Sequence, residues 1–122
     1  MKTSQLLAGL LMAAACTVVS AQTPAKLADG ALVAANGITL YTFDADKASP
    51  GKSMCHGPCA ALWPPLLAGA EPATGNYSVI TRDDGTRQVA YKGKPLYFYK
   101  ADQKAGDRTG DNFKDVWHIV KE

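Results

Sequence analysis

"LYTFDAD" spans Leu40–Asp46, and "LYFYKAD" spans Leu96–Asp102. The offset of 56 residues between them extends beyond these letters. Val33-Ala34 falls on Val89-Ala90, Gly37 on Gly93 and, with a small gap, Trp63 on Trp117. The chain is a unit used twice: strand, glycine turn, strand, long loop, tryptophan. Two copies are too few for an open solenoid, which needs three or more stacked units. A closed, pseudo-symmetric domain is therefore expected.

Outward from the repeat, the signals are those of hairpins. "ALVAANGITLYTF" places two extended runs around Asn36-Gly37, a pair suited to a type I′ turn. "YSVITRDDGTRQVAY" turns in the same way at Asp84-Gly85, and Lys92-Gly93 makes a third turn before Pro95. "DVWHIV" is a last strand. The Gly- and Pro-rich stretch between the hairpins holds one short helix, from Pro58 to Trp63. Gly57 is its N-cap, Pro58 its first residue and Pro64-Pro65 its stop. The expected fold is mostly β, or α+β at the margin: a single domain of two hairpin-based repeats with one short helix. Its core would draw on Tyr41, Phe43, Trp63, Leu66, Val89, Tyr97, Tyr99, Trp117 and Ile119.

Residues 1–21 read as an export signal. Lys2 is the positive end, Leu6 to Val19 the apolar run, and Val19-Ser20-Ala21 the cleavage site. The run is shorter than the roughly 20 residues that span a bilayer. Cleavage near Ala21 would release a periplasmic or secreted protein. Lipid anchoring at Cys16 is the alternative, weakened because the usual Leu is missing from the residues before it. Residues 22–29 read as a flexible lead and 30–122 as the two-repeat domain, with units at about 31–66 and 87–120. No transmembrane helix is expected. Removing Lys2 lowers the formal net charge from +2 to +1, with both signs interspersed. That balance gives no electrostatic reason to expect nucleic acid.

Two cysteines remain after export, Cys55 and Cys59 in "SMCHGPC". An even count in an exported chain favours a disulfide. In a regular helix, positions four apart stand about 5–6 Å apart at Cβ, too far for a disulfide's 3.5–4.5 Å. Cys55 should therefore precede the helix and Cys59 lie inside it. The competing reading is a soft-metal site for copper or zinc built from Met54, Cys55, His56, Cys59 and His118, or a thiol redox pair. The spacing is neither Cys-x-x-Cys nor Cys-x-x-Cys-His, so thioredoxin-like and haem-attachment chemistry lose support. His118 alone reads as a strand residue on the face opposite Trp117 and Ile119.

The repeated letters admit two readings. In one, Tyr41, Phe43, Tyr97 and Tyr99 are core, and Asp46 and Asp102 accept backbone N–H groups just past each strand. In the other they form an exposed aromatic platform with an acidic rim, suited to sugar. The doubled Tyr-x-aromatic-x-x-Asp pattern, with "CHGPCAALWPPL" between and "DGTRQVAYKGKPLYFYKAD" after, resembles the bacterial secreted-repeat family. That family is described as predicted lipoproteins with a Yx(F/W/Y)xxD motif. The resemblance covers about residues 30–121 and implies export, a two-copy repeat and a mainly β fold, with no established reaction. This chain departs from it in its poor lipobox. The function expected is an exported, non-catalytic binding or envelope-associated module. Its envelope or extracellular partner, ligand and oligomeric state are unknown. Soft-metal binding, thiol redox chemistry and carbohydrate binding through exposed Tyr residues are the alternatives. No hydrolase motif is present, so an enzyme is the less favoured class.

Overall fold

The computed structural model describes residues 24–70 and 73–121; the export-signal reading, and Cys16 with it, lies outside them. Strand β1 (Ala25–Ala28) pairs antiparallel with β2 (Ala31–Ala34). Asp29 and Gly30 between them both take positive φ, 51° and 80°. That is the two-residue turn whose twist suits a hairpin. Residues 25–28 of the segment read as a flexible lead are thus a strand. It is held because Ala25 packs into an apolar cluster with Leu32, Ala34 and Leu40.

The turn at Asn36-Gly37 differs from the expected type I′. Ala34 N–H bonds to Ile38 O and Gly37 N–H to Ala34 O, so the loop has three residues and Gly37 supplies the positive φ. Asn36 Oδ1 accepts the N–H of Ile38 at 2.9 Å, which fixes the side chain as a turn-former. The loop between β4 (Tyr77–Thr81) and β5 (Arg87–Tyr91) repeats the solution. Arg82 N–H bonds to Thr86 O, and Asp84 Oδ1 accepts the N–H of Thr86. At Lys92-Gly93 both residues have positive φ, and the chain reverses tightly into β6 (Lys94–Pro95).

The centre of the fold is the junction of the repeats. Tyr41 N–H bonds to Tyr97 O at 2.8 Å and Tyr97 N–H to Tyr41 O at 2.9 Å. Such a reciprocal antiparallel pair is two-fold symmetric by construction. The matched strands flank it. Strand β3 (Tyr41–Phe43) pairs with β7 (Trp117–Ile119), while Tyr97 bridges Pro65 and Phe98 N–H bonds to Pro64 O. Further out, Asp44 N–H bonds to Val116 O, and its repeat mate Lys100 N–H bonds to Leu62 O. The doubling in the letters is thus a doubling of hydrogen bonds.

Helix α1 (Pro58–Leu62) starts at Gly57, whose φ is +54°, and ends where Pro64 and Pro65 can no longer donate. Two apolar clusters fill the interior. One gathers Ala25, Leu32, Ala34, Leu40, Val89 and Leu96, with Leu66 half-buried against it. The other gathers Tyr41, Cys55, Trp63, Tyr97 and Trp117, with Phe43, Tyr99 and Ile119 packed on its edge. Of the residues expected in the core, Tyr41, Trp63, Val89, Tyr97 and Trp117 are buried in these clusters, and Phe43, Leu66, Tyr99 and Ile119 are partly buried against them. Among the described residues no helix is long and apolar enough to cross a membrane.

Candidate functional site

The leading tyrosine of each motif, Tyr41 and Tyr97, is fully buried, and each donates its hydroxyl to the aspartate of the other repeat. Tyr41 OH bonds to Asp102 Oδ2 at 2.5 Å, and Tyr97 OH bonds to Asp46 Oδ2 at 2.7 Å. Each carboxylate's second oxygen holds the loop that follows it. Asp46 Oδ1 accepts Met54 N–H, and Asp102 Oδ1 accepts the N–H and hydroxyl of Thr109. The letters suggest an aspartate serving its own turn, and both aspartates do so. They do not reveal that the other oxygen reaches across the molecule.

Burial, and next the bond to a carboxylate, push both phenols well above the ordinary tyrosine range. Burial also raises Asp46, against the opposing bond from Tyr97. The Asp46 side is continued by a polar chain. Because Tyr97 gives its proton to Asp46, Ser53 Oγ, 2.6 Å away, must donate to the phenol oxygen. Ser53 in turn accepts from Arg82 Nη1 and from Cys55 N–H, which completes its bonding capacity. Arg82 is 5% exposed and is held further by Gln88 Oε1 and Cys55 O. A buried guanidinium and a buried carboxylate are therefore joined through two hydroxyls. Sequence reasoning missed Arg82, Ser53 and Gln88, since a single polar residue in a hairpin or a loop carries no pattern that marks it as buried.

The aromatic residues form a second symmetric construction. Phe43, Trp117, Trp63 and Tyr99 stack face to face in that order, with centroids 4.2, 3.8 and 4.1 Å apart. The central tryptophans are parallel within 3°. Tyr41 stands edge-on to Trp63 at 5.3 Å and Tyr97 edge-on to Trp117 at 5.2 Å. Gly110 lies against the stack, and its N–H bonds to the Tyr41 hydroxyl. The repeat mates Phe43 and Tyr99 cap the two ends, both half-buried.

Cys55 and Cys59 are joined by a disulfide with Cα atoms 5.2 Å apart, the first before α1 and the second inside it. His56 faces Asp83 at 3.6 Å, and Met54 is exposed. His118 is placed elsewhere. Its ring nitrogens meet Asp44 Oδ2 at 3.0 Å and Asn112 Oδ1 at 3.1 Å. The bond between His118 and Asp44, foremost among that carboxyl's contacts, holds it below the usual range. The five residues read as a soft-metal set are thus divided between two places. No group of three or more His, Cys, Asp or Glu among the described residues is arranged to hold a metal ion.

The exposed platform for sugar at Tyr41 or Tyr97 is overturned. Both rings are inaccessible, because their hydroxyls find carboxylates inside the fold and their faces pack on tryptophan. Of the motif aromatics, Phe43 and Tyr99 are the half-buried ones that reach the surface. The Phe43 ring helps line a cleft of about 180 Å³ with Thr42, Asp46, Lys47, Pro50, Gly93, Lys94 and Pro95.

A family model described as a secreted repeat of unknown function matches the chain twice, over residues 24–67 and 78–121. No curated protein and no solved structure matches it.

Proposed function

This chain belongs to the family of secreted repeats of unknown function, and on that premise we propose that it is an exported, non-catalytic binding module of the cell envelope. The export signal of residues 1–21 would deliver it, with cleavage near Ala21. The observation that carries the reading is the cleft over Phe43. Its lining combines the half-buried Phe43 ring, two prolines and the buried Asp46 with the exposed Lys94 and Lys47, the latter also facing Asp44 at 3.6 Å. Its volume of about 180 Å³ is below the roughly 300–1,000 Å³ of pockets that enclose a whole small molecule. The cleft therefore suits one flat or short acidic group presented by a larger envelope partner, with the ring taking its apolar face and an ammonium its charge.

The test is a titration of isotope-labelled full-length mature protein with a small aromatic carboxylate, benzoate, followed by amide chemical shifts. Saturable shifts confined to Thr42, Phe43, Lys47 and Gly93–Lys94, lost in Lys94→Glu, are expected. Uniform or absent shifts, or shifts unaffected by Lys94→Glu, would remove the cleft as the binding site.

A further inference from the structure

The buried aromatic cluster does more than fill space, because its members are ordered by chemistry as well as by shape. Indole and phenol are the side chains that lose a single electron most readily. An oxidised phenol is also a strong acid, so it loses its electron easily only where a base stands ready for the proton. Here each buried phenol already donates to a carboxylate, Tyr41 to Asp102 and Tyr97 to Asp46. That places the acceptor within the hydrogen-bond reach that proton transfer needs. Each phenol also touches a tryptophan, and the two tryptophans stack on one another. The path Tyr41–Trp63–Trp117–Tyr97 is continuous ring to ring, with no step longer than 5.3 Å between centroids.

The ends of the stack differ in the one respect that matters for such a path. Tyr99, half-buried on Trp63, can be oxidised from outside. Phe43, its repeat mate on Trp117, resists one-electron oxidation and closes the other end. We propose that the cluster is a one-electron relay: an outer-sphere oxidant at the Tyr99 end draws an electron through Trp63 and Trp117 from a buried tyrosine. The balance is simple. The oxidant gains one electron, the tyrosine becomes a neutral phenoxyl radical, and its proton moves to the aspartate it already faces. An outer-sphere one-electron donor reverses every step, with the proton returning from the carboxylic acid. The proposal does not depend on the cleft over Phe43 or on what binds there.

The test uses photogenerated ruthenium(III) polypyridyl as oxidant on the full mature chain. In the variant Tyr77→Phe/Tyr91→Phe/Tyr99→Phe the remaining tyrosines are Tyr41 and Tyr97, so any tyrosyl signal comes from the buried pair. Transient absorption and freeze-quench electron paramagnetic resonance should show a tryptophan radical followed by a tyrosyl radical. Adding Asp46→Asn and Asp102→Asn should abolish the tyrosyl step and leave the tryptophan radical. Should those last variants fail to fold by near-ultraviolet circular dichroism, the rate in deuterium oxide decides. Slowed tyrosyl formation upholds loss of the phenol proton together with the electron, and an unchanged rate overturns it. Absence of any tyrosyl signal in the three-fold variant, or one unaffected by the Asn substitutions, also overturns the relay.

Discussion

At Tyr97 the hydroxyl, the Asp46 carboxylate and Ser53 form a closed account of donors and acceptors. Removing one member leaves a buried group short of a bond. Tyr97→Phe should therefore cost about 1–3 kcal/mol in urea unfolding, the penalty for an unsatisfied buried partner. A double-mutant cycle gives the sharper result. Tyr97→Phe and Asp46→Asn should couple by roughly 0.5–3 kcal/mol, while Tyr97→Phe and Asp102→Asn should be nearly additive. The two phenols also set an alkaline limit. Their values are raised in the folded state, so the unfolded chain releases those protons first, near the ordinary tyrosine value of about 10. Their contribution is intact below that value and is lost as pH rises above it. Tyrosinate absorbance should show a fraction that appears only as circular dichroism reports unfolding; complete ionisation in the folded state would contradict this. The motif letters marked these residues as special. They did not show which carboxylate each phenol meets, because alternation along a strand says which face a side chain takes and nothing about what lies across it.

Elements were legible where short-range rules govern them. Pro58 after Gly57 and the Pro64-Pro65 stop define α1, and the demand that Cys55 precede it follows from helix spacing alone. Two elements went otherwise. The Asp29-Gly30 turn carries the strongest short hairpin signal, yet Ala25–Ala28 looked too sparse in large apolar residues for a strand. Its alanines suffice because β2 beside it is buried throughout. The Asn36-Gly37 loop took three residues where the dipeptide alone suggested two. Replacing both cysteines by alanine should lower stability by about 2 kcal/mol, as expected for so small a closed loop, read as a shifted urea midpoint. Gly110→Ala would put a Cβ 2.6 Å from Trp63 and 2.9 Å from Tyr99. Such overpacking costs about 1–3 kcal/mol, and here it should weaken the near-ultraviolet signal of the tryptophan pair.

For the molecule as a whole, the repeat spacing foretold a closed domain of two units, and the hydrogen bonds between Tyr41 and Tyr97 are where it closes. The spacing could not show that closure goes through buried polar contacts as well as apolar packing. Since both crossed pairs and the ring stack draw on both units, neither unit has a finished core of its own. Thermal unfolding should be one transition with equal calorimetric and van't Hoff enthalpies, although the strands among the described residues fall into three small sheets. Two separable transitions would show that the units stand alone.

The crossed pairs also bear on how such a chain can change over generations. A unit carried singly has a phenol whose carboxylate is elsewhere and a carboxylate whose phenol is elsewhere, and only another unit supplies both. The two halves are thus related as two subunits of a symmetric dimer would be, with a peptide linker in place of free association. A substitution at Asp102 is first felt at Tyr41, in the other half of the gene. The halves cannot drift independently at these positions, and the Tyr and Asp letters shared by the stretches at Leu40 and Leu96 are each the complement of the other copy's.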